Sequence, residues 1–412
     1  ATIVDVACDR RIIGTDRDVH ILVKVASTGT EPVRQRSVKL LVDGEPAGGR
    51  DIAEVRPSSA ETVRFNYRFR RPGRHIVEAR LEGADDLPGD NRLQRVVEVL
   101  NTLPVLVVDG APSGRPLEGA ADFLDIALAP PPADEEPNGE AGTRPSREDL
   151  VTCLVATQVV GGPDVGSVKD LGRYALVVLA DVPALPKAFA EQLARFVREG
   201  GGLLVAPGPA VNAAFYNAWA DSTGQAVLPG KLVKARAAGE KPVHLAANTF
   251  SHPALAKLAD EDLSDASSAV LSAYWQIEPP ESDRDVSVGG KLDTGEVLLA
   301  ERKLGKGHVL LWASALHPRA TNLPALKCFV PLMHELAYYL AAPTAAVCNV
   351  ECGSDVTVEL RSPPAGNEGA RGSGLKGEYF SDDSFSPQAL RLTRIDRRID
   401  FDWGNKAPDP SL

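Results

Sequence analysis

Residues 174–209 read YALVVLADVPALPKAFAEQLARFVREGGGLLVAPGP, and this stretch decides the fold. It opens on an unbroken apolar run, Tyr174–Ala180, that ends at Asp181. A second run, Gly202–Val205, follows. Continuous apolar strands are those buried on both faces, as in parallel sheets. Between the two runs the period changes to that of a helix. Phe189, Leu193, Phe196 and Val197 form one stripe over Pro186–Glu199. Proline stands in the first turn and Gly200-Gly201-Gly202 gives a stop signal, so a helix joining two strands is expected here.

Working outward, Val105–Val108 ends at Asp109-Gly110, and His308–Trp312 is a fourth apolar run. Phe123, Leu124, Ala127 and Leu128 mark a short helix before Pro130-Pro131-Pro132. Leu326, Phe329, Val330, Met333, Ala337 and Leu340 mark a long final one. Strands alternating with helices predict an α/β domain with a doubly wound sheet over residues 101–345. Residues 130–148, rich in Pro, Glu and Gly, are expected to form a mobile surface insertion. Ligands of such sheets bind beyond the carboxyl ends of the strands. That rule selects Asp109, Asp181, Ala206–Gly208 and Ser314–His317, with Ser113, Arg115 and Glu118 in the loop after the first strand. The candidate ligand or partner rim is therefore Asp109, Ser113, Arg115, Glu118, Asp181 and His317. The competing structural role for Asp109 and Glu118 is to satisfy turn and helix-start N–H groups.

Residues 1–100 follow a period of two. Val19, Ile21, Val23 and Val25 face one way, as do Val63, Phe65, Tyr67 and Phe69. Val77, Ala79 and Leu81 repeat the pattern, and Val38, Leu40 and Val42 lead into Asp43-Gly44, a hairpin signal. The expectation is an antiparallel Ig-like β-sandwich with one buried face per sheet. His20 and His75 fall in strands without a partner cluster.

Composition removes several functions. The chain has 412 residues, with 45 basic and 56 acidic side chains and a net charge of −11. That balance argues against wholesale binding to nucleic acid or anionic lipid. Its longest apolar runs fall far short of the ~20 residues of a membrane helix. Five cysteines, Cys8, Cys153, Cys328, Cys348 and Cys352, do not decide the compartment. Cys348 and Cys352 would stand ~13 Å apart in a strand, beyond the ~7 Å reach of a disulfide. All five are expected to be unpaired, mostly buried thiols. His244, His252, His308 and His334 share no metal-like spacing, so neither a metal nor a cofactor is expected. Gly372–Gly377 matches the dinucleotide fingerprint in spacing alone, since a linker precedes it and a strand-like Glu378-Tyr379-Phe380 follows.

Three resemblances accompany these readings. The segments VASTGTEPV, VKLLVDGEPAG, VRPSSAETVRFNYRF, PGRHIVEARL and DDLPGDNRLQRVVEV resemble the cell-adhesion-related Ig-like (CARDB) domain, which implies a spacer or adhesion module over about 1–100. Residues 101–341 resemble the class I glutamine amidotransferase-like fold. The matching pieces are LPVLVVDGAPSGRPLEGAADFLDIALAP, the run 171–212, YWQIEPPE, ERKLGKGHVLLWASALHP and CFVPLMHELAYYLA. More closely, they look like the catalytically silent version in bacterial aerotolerance (Bat-like) membrane proteins, which carry a von Willebrand A domain upstream. The family's nucleophilic cysteine belongs on the turn after Gly202–Val205, where this chain has Ala206-Pro207-Gly208-Pro209. The two prolines also remove N–H donors that an oxyanion hole would use. His317-Pro318 sits where the family has its histidine, and Arg319 replaces the usual acid. The tail, GLKGEYFSDDSFSPQALRLTRIDRRIDFDWGNKAPDPSL, resembles the opening of the protective-antigen-type β-sandwich. About 39 residues cannot bury a sandwich core, so 374–412 reads as its truncated start, behind a strand and Pro/Gly linker at 346–373.

Together these features predict a non-enzymatic interaction or scaffold module. It would be the extracytoplasmic part of a membrane-anchored bacterial envelope protein, binding a protein or glycan partner, with its membrane spans elsewhere in a longer gene product. The rival readings are a hydrolase or amidotransferase with an unrecognised nucleophile, and a small-molecule sensor binding near Asp109 and Asp181.

Overall fold

The structure, a computed structural model, describes residues 1–27, 29–83, 88–115, 117–130, 154–239, 241–259, 264–341, 349, 375–380 and 390–396. The insertion at 130–148 (from 131 on), the linker 346–373 (apart from Asn349), Cys153, Cys348, Cys352 and most of the tail lie outside the described residues. Residues 1–349 form one compact unit and 350–412 a second.

The first hundred residues fold into an Ig-like sandwich. Its strands are β1 (Thr2–Cys8), β2 (Ile13–Gly14), β3 (Asp18–Ala26), β4 (Val33–Val42), β5 (Glu45–Val55), β6 (Ala60–Arg68), β7 (Gly73–Glu82) and β8 (Arg92–Leu100). One sheet has the order β1-β3-β6 and the other β2-β8-β7-β4-β5. Val19, Ile21, Val23 and Val25 of β3 pack in the shared core with Val38, Leu40, Phe65, Val77 and Ala79. The hairpin at Asp43-Gly44 has φ of 53° and 84°. Both residues are left-handed, the requirement of a type I′ turn that Asp-Gly meets at low cost. One pairing departs from the expected antiparallel pattern: β2 runs parallel to β8. The two sandwich histidines also have partners, since His20 Nδ1 lies 2.7 Å from Asp9 and His75 Nδ1 lies 2.6 Å from Asp43.

The second layer system contains β9 (Leu103–Asp109), α1 (Asp122–Leu128), β10 (Val155–Gly161), β11 (Leu176–Ala180), α2 (Lys187–Arg198), β12 (Gly202–Ala206) and α3 (Ala213–Ala218). It continues with β13 (Lys231–Ala237), β14 (Val243–Ala246), β15 (Val270–Leu271), β16 (Ala273–Glu278), β17 (Val286–Leu292), β18 (Val297–Leu304), β19 (Gly307–Trp312) and α4 (Phe329–Ala341). The main sheet has the order β10-β9-β11-β12-β19-β18-β17-β14-β15. The first five strands are parallel and the remaining pairings antiparallel. The sheet is thus mixed, where the sequence predicted parallel strands. The loops give the reason: only Gly305-Lys306 joins β18 to β19, and a parallel crossover needs a dozen or more residues.

All five residues of β11 and all five of β12 are buried. Burial of each large apolar side chain there contributes ~1.5–3 kcal/mol to the sheet. Helices cover both faces. A Cβ on Gly202 would meet Leu340 of α4, whereas one on Gly307 would meet the backbone of Val197 in α2. Gly202 pairs with His308, the neighbour of Gly307, and successive strand residues point to opposite faces. The end of α2 is a Schellman motif, with Gly201 N–H bonded to the Phe196 carbonyl and Gly200 N–H to that of Val197. Gly200 takes φ 119°, which a side chain would resist. The last helix begins at Phe329; Leu326 accepts the Phe329 N–H just ahead of it.

Strands β13 and β16 make a separate two-stranded ribbon. In the second unit, β20 (Leu375–Phe380) and β21 (Leu390–Asp396) form an antiparallel pair.

Candidate functional site

The carboxyl ends of the parallel strands are stitched by backbone bonds. Gly110 N–H donates to the Ala180 carbonyl at 2.9 Å, and Asp181 N–H donates to that of Ala206 at 3.0 Å. Asp181 then turns to φ 49°, a left-handed conformation that Asp tolerates better than most residues. This aims its carboxylate at the next loop. There Oδ1 accepts the Ala210 N–H at 3.0 Å, and the Gly208 N–H also faces it. Pro207 and Pro209 have no N–H, so both amide donors of turn 207–210 are directed at Asp181. A Cβ at Gly208 would overlap that carboxyl.

Asp181 is only 7% exposed. Burial pushes its pKa up to about 6, against the pull of the two N–H donors, and the charge of Asp109 adds to the rise.

His317 lies in the loop after β19 and is 6% exposed. The Arg319 N–H donates to its Nδ1 at 3.2 Å, which leaves the proton of the neutral ring on Nε2. That Nε2 is buried, and the Leu117 carbonyl faces the ring. The edge of Phe123 packs on the ring, with centroids 5.6 Å apart. Burial lowers the His317 pKa; the nearby Leu117 carbonyl works against this and the Arg319 charge adds to it.

Glu118, Asp181, His317 and Arg319 line one cleft of about 350 Å³, with Ala111, Ala120 and Pro209 among its walls. A second hollow of about 280 Å³ is lined by Pro207, Gly208, Ala235, Tyr274 and Trp275. The two share Pro209, Ala273, Ala315 and Ala320, so they form one groove with a polar and an apolar half. Trp275 Nε1 donates to the Gly208 carbonyl at 3.0 Å, which leaves its ring as an apolar wall.

Of the six rim residues read from the sequence, the fold brings Glu118, Asp181 and His317 to the cleft wall. Asp109 is buried behind them and holds its own turn, accepting the Ala111 N–H at 3.0 Å. Ser113 and Arg115 reach Glu118 from outside, at 3.4 and 3.6 Å, and the Arg115 side chain is 81% exposed. Two contributors were not chosen from sequence. Arg319, 3.8 Å from Glu118, was visible there as a departure from a family pattern. Trp275 was visible as part of YWQIEPPE. Among the described residues no three His, Cys, Asp or Glu side chains converge as a metal site. Cys8 and Cys328 are free thiols.

A second polar cluster lies elsewhere on the sheet. Glu301 accepts hydrogen bonds from His308 Nδ1 at 2.6 Å and the Tyr339 hydroxyl at 2.7 Å, and His252 Nε2 stands 3.3 Å away. His334, on α4, bonds the Ala127 carbonyl at 3.1 Å.

No family model matches the chain. A 41-residue stretch is 51% identical to the anti-sigma-I factor RsgI3 of Acetivibrio thermocellus, covering 10% of this chain and 6% of that protein. Among solved structures, the cytoplasmic protein STM3548 of Salmonella typhimurium aligns with 58% of this chain and 98% of its own, at 14% identity and TM-score 0.40. The CARDB domain of PF1109 from Pyrococcus furiosus covers 23% of this chain and 87% of its own, at 15% identity and TM-score 0.22. A domain of a putative cell surface protein from Methanosarcina acetivorans covers 24% and 91%, at 15% identity and TM-score 0.20.

Proposed function

We propose that this chain is a recognition module of a bacterial envelope protein, in which the sandwich is a spacer and the groove at the strand ends holds a protein or glycan partner. The observation that carries this reading is the Asp181 lock on turn 207–210. An acyl-transfer site of the amidotransferase kind needs a nucleophile on this turn and free N–H groups around it. Here the turn is Ala206-Pro207-Gly208-Pro209, and the amide donors of 207–210 face a carboxylate. A carboxylate in that place also repels a developing oxyanion. The same lock makes the groove wall rigid, and rigid loops on a buried scaffold suit binding. The amidotransferase-like descent of the second layer system, the von Willebrand A context and the extracytoplasmic location belong to this proposal.

The test combines turnover and binding. Esterase, amidase and glutaminase substrates should show no turnover above background. Turnover that vanishes in His317→Ala would overturn the reading. For binding, Ala273→Trp plugs the groove where its halves meet. A partner retained from envelope extract by the wild-type chain should be lost with this variant, and equal retention by both would place binding elsewhere.

A further inference from the structure

We infer that one side of the sandwich is a self-association surface, where β5 pairs antiparallel with β5 of a second copy about a two-fold axis at Ile52. This surface belongs to the sandwich and not to the groove. Strand β5 ends the order of its sheet and pairs with β4 alone. Among the described residues, no backbone hydrogen bond joins 45–55 to any other segment. The far side of the sandwich is tied across. There Arg95 Nη1 donates to the Val6 carbonyl of β1 at 3.0 Å, and the Asn349 side-chain amide bonds both the N–H and the carbonyl of Val96 in β8, at 2.7 and 2.9 Å. An unpaired row of N–H and C=O groups is a template for another strand, and edges are commonly blunted by proline, lysine or a covering segment. From Ala47 to Val55 this edge has neither proline nor lysine. It borders a cleft of about 520 Å³, with Glu61 and Arg64 of β6 on the other wall.

The charges on the edge select its occupant. Arg50 is exposed and has no ion pair among the described residues. Glu54 stands 3.5 Å from Arg34, and its side chain is still 42% exposed; such a surface pair holds its members weakly. Residues directly opposite in an antiparallel pair share a face, so opposite charges there attract and like charges repel. With the axis at Ile52, Arg50 of each copy stands opposite Glu54 of the other, and Asp51 stands opposite Ala53. An axis at Arg50, Asp51 or Glu54 would set that residue against its own copy. An axis at Ala53 would set Arg50 against Arg56. Around the charged half of β5, a second copy is therefore complementary in one register, whereas an uncharged strand leaves Arg50 and Glu54 unmatched. One strand pair makes a small interface, so the dimer is reversible, with a Kd of roughly 10–100 μM.

The experiment is sedimentation equilibrium of the 412-residue chain, over about 5 to 500 μM to bracket that Kd. Wild type should dimerise. Arg50→Glu and Glu54→Arg each set like charges opposite one another and should weaken the dimer about 10-fold or more. An equimolar mixture of these two variants should form a heterodimer, because each supplies the charges that the other lacks. The double exchange Arg50→Glu/Glu54→Arg should restore self-association, which a variant that merely folds poorly would not do. Amides of 45–55 in wild type should gain protection from hydrogen exchange as concentration rises. A wild-type chain that stays monomeric over the whole range would overturn the inference. So would a dimer indifferent to Arg50→Glu, a mixture without heterodimers, or a dimer that protects another segment in place of 45–55.

Discussion

The Ala210 N–H donates to Asp181 Oδ1 at 3.0 Å, and this bond ties the loop after β12 to the end of β11. The charge of Asp181 therefore bears on stability as well as on binding.

With its pKa raised to about 6, Asp181 binds a proton more tightly in the folded chain than in the unfolded one. Its stabilising contribution is complete below about pH 4 and is lost as pH rises through 6. In Asp181→Asn the amide oxygen still accepts the turn N–H while the charge is gone. The variant should match wild type near pH 4 and exceed it by about 1–2 kcal/mol at pH 7.5. That is less than the full shift implies, because part of the carboxylate meets solvent in the cleft. Chemical denaturation across this range checks the sign.

Close backbone approach at the strand ends can be tested with two alanines. A Cβ at Gly110 would overlap the carbonyl of Asp181 and the Cα of Val182, while one at Gly208 would overlap only the Asp181 carboxyl. Side chains move more readily than paired strands. Gly208→Ala should cost about 1–3 kcal/mol and Gly110→Ala more than about 3 kcal/mol, read from urea midpoints at pH 7.

Glu301 provides an acid-sensitive anchor away from the groove. Burial opposes its ionisation, but the neighbouring His252 and the hydrogen bonds from His308 and Tyr339 outweigh this and hold its pKa far below the usual carboxylate range. A depressed pKa stabilises above the unfolded value near 4.3, and the contribution is lost as pH falls below it. Glu301→Gln should destabilise by about 3 kcal/mol at pH 7, with the gap closing toward pH 3. Tyr339→Phe, which removes one donor to a charge, should cost about 1.5–3 kcal/mol. Thermal unfolding of both variants at several pH values measures this.

Legibility followed burial. The four apolar runs became β9, β11, β12 and β19, because strands covered on both faces carry few polar residues, here Asp109 at the end of β9 and His308 near the start of β19. The edge strand β10, Val155–Gly161, mixes buried, half-buried and exposed positions and gave no such signal. The ribbon β13–β16 and strands β14 and β17 also escaped notice, since their half-exposed patterns resemble irregular chain, and β18 escaped because Glu301, Arg302 and Lys303 break its otherwise apolar run although most of it is buried. Glycine punctuation was read well at Asp43-Gly44 and Gly200, where backbone sterics are local. The groove was legible only as a list of strand ends. That Asp181 turns onto 208–210 while Asp109 stays behind depends on a left-handed φ and on tertiary distances. The pairing of His252 and His308 through Glu301 joins residues 49 and 7 positions apart and has no local signature.

The account depends most on the groove being a surface that holds and does not react. The direct measurement is to treat the 412-residue chain with a fluorophosphonate, a chloroacetamide and a glutamine-mimicking electrophile, then map adducts by peptide mass spectrometry. The account predicts none on residues 109–118, 181, 206–210 or 314–319. A stoichiometric adduct on one side chain in those segments, abolished by His317→Ala, would contradict it.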